Sequence, residues 1–323
     1  MIYIGIDLGG TKVSGALFNK NNSILLRETM LLEGRGGDDV GELICKVCDE
    51  VLKKGGFSAD DEKCIGVCVP GISYSKTGAV WCPNIPGWEN YPLKRVVQNY
   101  FPNSSITIES DRTAYILGEV SLGAAKGCDN AIFIAVGTGI GAGILIDGRV
   151  LHGASDIVGA TGWMALKPPY RSEWDACGCF ESHASGTGIA LQASGRVKSL
   201  IFSGCREGSS LLAIEPDKIT SKELFEAYEK GDELAKSVIG EAIEMWGMAA
   251  ANFVSLFNPE MVIFGGGLFG PAARFIDNIY EEAQKWAQPI AIKQCKFMAT
   301  QLPNDAGLYG AGAIAIKNGK EQI

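Results

Sequence analysis

Apolar and polar positions divide the chain into short strands and longer helices, and the order in which they occur repeats. Ile2-Tyr3-Ile4-Gly5-Ile6 is an apolar run, Asp7-Leu8-Gly9-Gly10-Thr11-Lys12 is a glycine-bearing break, and Val13-Ser14-Gly15-Ala16-Leu17-Phe18 is a second run. This pattern predicts a strand, a tight turn and a returning strand, a hairpin whose tip exposes backbone N–H groups. A third strand is expected over Ser23-Ile24-Leu25-Leu26-Arg27. A helix is expected from about Asp38 to Lys54, with Val40, Leu43, Ile44, Val47 and Val51 near helical spacing. Cys64-Ile65-Gly66-Val67-Cys68-Val69 predicts a strand stopped by Pro70-Gly71, and Ile106-Thr107-Ile108-Glu109 a strand ending at Asp111, with a helix from around Ala114.

The pattern then begins again. Asn130-Ala131-Ile132-Phe133-Ile134-Ala135-Val136 runs into Gly137-Thr138-Gly139, and Gly143-Ile144-Leu145-Ile146 returns after it, so duplication of one unit in two domains is the simplest reading. Asp232 to Phe257 predicts a long buried helix, Met261-Val262-Ile263-Phe264 a strand ending in Gly265-Gly266-Gly267, and Ala306 to Lys317 a small-residue helix suited to close packing. Residues 150–182 lack periodicity and predict loops.

The 323 residues exceed what one core usually organises, which also favours two domains. A net charge of −8 with no basic block argues against nucleic acid as a partner. No apolar stretch approaches the roughly 20 residues that span a bilayer, and the N-terminus has no charged leader region, so a cytoplasmic protein without a membrane partner is expected. Most of the ten cysteines lie in apolar contexts and read as buried thiols; Cys177-Gly178-Cys179 is the exception.

The glycine turns suit phosphates. In the first, Gly9, Gly10, Thr11 and Lys12 would cradle the phosphates of a nucleotide, with Asp7 near a magnesium-bound water; Gly137, Thr138 and Gly139 would form a second cradle and Gly265, Gly266 and Gly267 a third contact. Neither the P-loop spacing nor the dinucleotide fingerprint is present. Asp111 suits a general base that accepts a proton from a substrate hydroxyl, and suits a helix N-cap equally well. Pro83-Asn84-Ile85-Pro86-Gly87-Trp88 offers an amide and an indole to a polyhydroxylated ligand, or is an ordinary proline-bounded loop.

Taken together these motifs resemble the ROK family of sugar kinases and sugar-responsive repressors, in the actin-like ATPase and hexokinase superfamily. The resemblance rests on Asp7 to Lys12, Val136 to Gly143, Asn258-Pro259-Glu260 through Gly267, Gly231-Asp232 and Asn304-Asp305-Ala306-Gly307-Leu308-Tyr309-Gly310-Ala311, and covers nearly the whole chain. It implies an α/β fold of two actin-like (ribonuclease H-like) domains flanking a nucleotide and sugar cleft. The expected division is 1–118 with 306–323, and 119–305. ATP and Mg2+ are the implied cofactors, Asp111 the catalytic base, and a homodimer the implied assembly. Asn84, Ser110, Asp111 and Glu181 fall on family sugar contacts, with Trp163 at another.

Departures from the family cluster in one region. The Glu-x-Gly-His stretch that meets the sugar near C1 and C2 is here Ala160-Thr161-Gly162-Trp163, and the zinc motif C-x-C-G-x-x-G-C has Ser172 and Trp174 in place of two cysteines, leaving Cys179. Structural zinc is therefore expected to be absent. The Asn that usually precedes the catalytic acid is Ser110. A pocket altered in this way predicts a sugar with something apolar or bulky near C1 or C2, such as a glycoside or N-acyl group. A sugar-sensing regulator is the alternative; the family's regulators carry a DNA-binding segment ahead of the first phosphate motif, and Asp7 here is the seventh residue. A catalytically degenerate sugar-binding protein is the third reading.

Overall fold

The first hairpin forms as its pattern predicts: β1 (Ile2–Leu8) pairs antiparallel with β2 (Lys12–Phe18), setting Asp7 opposite Ser14. The molecule is a computed structural model that describes residues 1–204 and 207–321. β3 covers Ile24–Leu31, beyond the expected end at Arg27. Arg27, Glu28 and Thr29 break the apolar run, but an edge strand with one open face accepts polar residues on alternate positions. Helix α1 (Gly37–Lys54) follows, then β4 (Lys63–Val69), a small hairpin of β5 (Ile72–Tyr74) and β6 (Ala79–Trp81), α2 (Leu93–Tyr100), β7 (Ser104–Ser110) and α3 (Asp111–Leu122).

Contacts divide the chain into two units, the first comprising 1–128, 150–158 and 300–323, the second 129–149 and 159–299. The expected borders at 118 and 306 fall inside α3 and at the first residue of the C-terminal helix Ala306–Glu321. The first unit holds a five-stranded sheet ordered β3-β2-β1-β4-β7, in which β1, β4 and β7 run parallel. One face packs on α1 and α2 through Val40, Ile44, Val47, Val51, Leu93 and Val97. The C-terminal helix covers the other face, lying against β1, β4 and α3. This contact is possible only because side chains are missing from it. A Cβ on Gly66 of β4 would stand 2.1 Å from the Ala311 carbonyl oxygen, and one on Gly310 1.9 Å from that of Ala114.

The second unit repeats the plan. β8 (Ala131–Val136), β9 (Ile140–Ile146), β10 (Arg149–Val150), β11 (Met261–Gly265) and β12 (Lys296–Ala299) form a sheet ordered β10-β9-β8-β11-β12. Its helices are α4 (Cys179–Ala184), α5 (Gly186–Phe202), α6 (Ser221–Glu229), α7 (Glu233–Phe257), α8 (Ile276–Trp286) and the short α9 (Ala291–Gln294). The long α7 is buried against α4, α5, α6 and α8, and its Trp246 indole donates to the Ala184 carbonyl at 3.0 Å. Asp232 precedes it as N-cap, accepting from Leu234 and Ala235 with one oxygen and from Ser209 and Ser210 with the other. Asn258 ends it in the left-handed conformation, φ 45°, and Glu260 accepts from the Asp129 and Asn130 amides. These two motif segments thus build the unit rather than reach a ligand.

Gly66→Ala should destabilise the protein by about 3 kcal/mol, because the added methyl has no free volume and the C-terminal helix must shift. Urea denaturation of the variant checks this, and an unchanged midpoint would contradict the packing described.

Candidate functional site

Parallel pairing brings the acidic residues together. β1 and β4 align Asp7 with Cys68, and β4 and β7 align Cys68 with Glu109 and Val69 with Ser110, so Asp7, Cys68 and Asp111 share the carboxyl end of three adjacent strands. That end is where open α/β sheets bind ligands. Asp7 takes a 3.0 Å hydrogen bond from the buried Cys68 thiol, and a Cβ on Gly307 would sit 2.9 Å from its Oδ1. Burial pushes the Asp7 carboxyl up, opposed by the Cys68 hydrogen bond and then by Lys12.

Asp111 is not the cap of α3. Ser110 is, its Oγ accepting from the Thr113 amide at 3.3 Å and lying 3.2 Å from the Thr113 hydroxyl, which also draws the helix start back from the expected Ala114 to Asp111. Ser110 is therefore occupied by the helix, and Asp111 is released from capping. One Asp111 oxygen accepts from the Arg112 amide at 2.8 Å, and the Tyr115 hydroxyl lies 3.5 Å from the other. Burial lifts its carboxyl to about 6, with the Arg112 charge and amide pulling the other way and the Asp7 charge adding to the rise. The Asp111 charge and burial raise Tyr115 well above the ordinary phenol range, so its hydroxyl stays a donor.

The first turn closes with the Gly9 amide donating to the Lys12 carbonyl at 2.9 Å, and Gly10, Thr11 and Lys12 are exposed at its tip. Asn84 is exposed in its loop as well, but the indole expected beside it is not available. Trp88 is fully buried, stacked on Tyr91 at 4.5 Å and donating to the Gly37 carbonyl, so it anchors the loop to α1.

In the second unit β8 and β11 are parallel with Ala135 opposite Gly265, which brings the turn at 137–139 beside the triple glycine. Gly137, Thr138 and Gly267 line a cavity of about 770 Å3 together with Gly186 and Thr187 at the start of α5, and Phe225, Lys222 and Glu229 of α6. Gly265 is buried outside the lining, where a Cβ would strike the Phe133 ring at 2.3 Å, and Gly266 has φ 89°, with a Cβ there 2.5 Å from the Val136 carbonyl oxygen. Gly139 faces Glu181. The Glu181 carboxylate accepts from the Ile140 amide at 2.6 Å, and a Cβ on Gly139 or Gly162 would meet it within 3 Å. Burial raises the Glu181 carboxyl, opposed by that amide. Trp163 stands 57% exposed in a short 3-10 turn, Thr161–Trp163.

Cys68 and Tyr115 as neighbours of the two carboxylates, and the α6 wall, escaped the sequence reading. A signal for Thr187 was present: Gly186-Thr187-Gly188 repeats the Gly137-Thr138-Gly139 triplet, and the Gly186 amide donates to the Gly137 carbonyl at 2.8 Å. Among the described residues no group of three or more His, Cys, Asp and Glu is placed to hold a metal. Around the altered zinc motif, Trp174 is buried edge-on to His183 at 5.2 Å, and the Cys177 sulfur lies 3.2 Å from the Ser182 hydroxyl.

The ROK family model matches residues 3–318. A glucokinase of Halalkalibacterium halodurans is 30% identical over 96% of this chain and 93% of its own length. A xylose repressor of Caldicellulosiruptor bescii is 28% identical over 98% of this chain and 78% of its own. A solved ROK glucokinase from Streptomyces griseus, in complex with glucose and AMPPNP, superposes with a TM-score of 0.76 at 27% identity, covering 98% of this chain and all of that one.

Glu181→Ala should cost about 2 kcal/mol of stability, since it strips the Ile140 amide of its acceptor. Hydrogen exchange should show faster opening of the 137–140 turn than of β8, and equal protection in the variant and the parent would refute the assignment.

Proposed function

The chain belongs to the ROK family, and on that premise we propose that it is an ATP-dependent kinase acting on a primary hydroxyl of a hexose or hexose derivative. The observation that carries the reading is Asp111: a half-buried carboxylate at the carboxyl end of the sheet, freed from capping by Ser110 and lifted to about 6. A base with that value is ionised at neutral pH yet retains useful proton affinity. Asp111 takes the proton of the sugar hydroxyl as that oxygen bonds to the γ-phosphorus and the bond to the β–γ bridging oxygen breaks, with ADP leaving.

The residues present fit ATP. The cavity of about 770 Å3 is of small-molecule size, a Cβ on Gly267 would meet nothing within 4 Å, and Gly10, Thr11, Lys12 and Thr138 are exposed at turn tips that suit phosphates. Asp7 fits a water of a phosphate-bound magnesium, an ion that takes few protein ligands and, when bound, neutralises charge on the transferred group. Asn84 and Glu181 orient the sugar in this reading. Ala160 and the exposed Trp163 favour a substrate modified at C1 or C2, because the acidic and imidazole partners of an unmodified sugar are missing there.

Coupled ADP-release assays over glucose, mannose, N-acetylhexosamines, fructose and glycosides test the reading. Turnover of none would overturn it, and unmodified glucose with the highest kcat/KM would overturn the modified-sugar part. Asp111→Asn should lower kcat by roughly 10² to 10⁴ while the fold is retained, and unchanged turnover would remove Asp111 from its role. In the parent enzyme, kcat/KM should fall about tenfold per pH unit below about 6, where Asp111 becomes protonated, and stay level above it. A profile that is flat down to pH 5 would contradict the assignment.

A further inference from the structure

Where the family's zinc motif is rewritten, the second unit contains a cavity of about 430 Å3 that the reading above leaves without an occupant. Its walls are the side chains of Trp163, Ala165, Pro168, Tyr170 and Trp174, closed by the Gly178-Cys179 start of α4. The geometry points to a binding site for a neutral ring carried on the anomeric oxygen of the hexose, either an aromatic aglycone or a second sugar. This assignment rests on the kinase reading only in placing the hexose beside Glu181.

Three observations support it. The first is continuity: Glu181 follows Cys179 on the same short helix, and Gly178, with φ 88°, brings the helix start so close that a Cβ would lie 2.4 Å from the Trp163 α-carbon. The turn that carries Trp163 therefore has the Glu181 carboxylate on one side, at Gly162, and the cavity on the other. The second is that the aromatic surfaces are available to a ligand. Tyr170 is 72% exposed and Trp163 57%, whereas Trp174 is held as a fixed wall by its contact with His183. Large aromatic rings are costly to leave in water, and their faces suit the flat C–H face of a sugar or another aromatic ring.

The third is charge. The cavity is lined by one carboxylate and one ammonium, and both are engaged: Asp175 accepts from the Tyr170 hydroxyl at 2.5 Å, and Lys167 lies 4.0 Å from Glu241. One charge of each sign leaves the lining without net charge, which favours neither an anion nor a cation and suits a neutral ring. Among the described residues no group of three or more His, Cys, Asp and Glu is placed there to hold a metal. The volume lies within the small-molecule range and accepts one ring with its linking oxygen.

Calorimetric binding of p-nitrophenyl, disaccharide and methyl glycosides of glucose, mannose and N-acetylglucosamine, in both anomeric forms, tests the assignment on the full chain, alongside ADP release from the free hexoses and from the same glycosides. Ring-bearing glycosides of one hexose should bind at least tenfold more tightly than its methyl glycoside. Tyr170→Ala, which removes one wall, and Ala165→Trp, which fills the cavity, should each abolish that preference and leave the methyl glycoside within twofold of the parent. Both positions are exposed, so the fold tolerates the changes. Preference for the aryl or for the disaccharide series tells the two sources of the ring apart. Absence of a preference, or its survival in both variants, overturns the site. Preference without ADP release from any hexose or from any glycoside of the binding panel would instead overturn the kinase reading and leave the site standing.

Discussion

The close seating of the C-terminal helix on β1 and β4 is the constraint on which the acidic site depends. Gly66 and Gly310 remove the side chains that would hold the two layers apart, so the helix backbone lies directly on its neighbours. Gly307, near the start of that helix, is thereby brought against Asp7 and lets the helix reach the strand end without displacing the carboxylate. A single methyl at this contact would push back the helix start, and with it the wall around Asp7 and Cys68. Because interiors are packed to near-crystalline density, such a displacement has no local sink.

The same seating sets the electrostatics. Asp7 and Asp111 are half-buried at one end of the sheet, where burial raises the proton affinity of both and the Asp7 charge adds to the rise at Asp111. The opposing groups are the Cys68 thiol and the Lys12 charge at Asp7, and the Arg112 charge and amide at Asp111, with the N-terminal end of α3 behind it. No strong ion pair neutralises Asp111, since the Arg112 guanidinium lies near the Gly71 carbonyl at 3.5 Å instead. A fully paired carboxylate would be too weak a base, and an unopposed one would be protonated at neutral pH. The observed balance falls between these limits.

In the second unit, segments that read as ligand motifs divide into those that face space and those that make the fold. Thr138 and Gly267 line the large cavity, whereas Gly265 yields room to Phe133. The distinction is one of orientation. A glycine after a strand is needed both where a ligand approaches and where a ring is packed, and the residue type is the same in each case.

Much of the fold was therefore readable from alternation and glycine placement alone. The two hairpins, the strands that follow them, the buried α7 and the small-residue C-terminal helix all follow from local periodicity, which chain geometry enforces within a few residues. The missing ligands at Ala160, Trp163, Ser172 and Trp174 are equally local, because Ala, Ser and Trp supply no carboxylate, imidazole or thiolate in any fold. Tertiary structure alone decided which groups act together. It gave the cap to Ser110 and freed Asp111, buried Trp88 in the core instead of the loop surface, placed Cys68 under Asp7, and opened an aromatic cavity where the zinc ligands were lost. These outcomes depend on the register of β1, β4 and β7 and on contacts between distant segments, which no local pattern encodes.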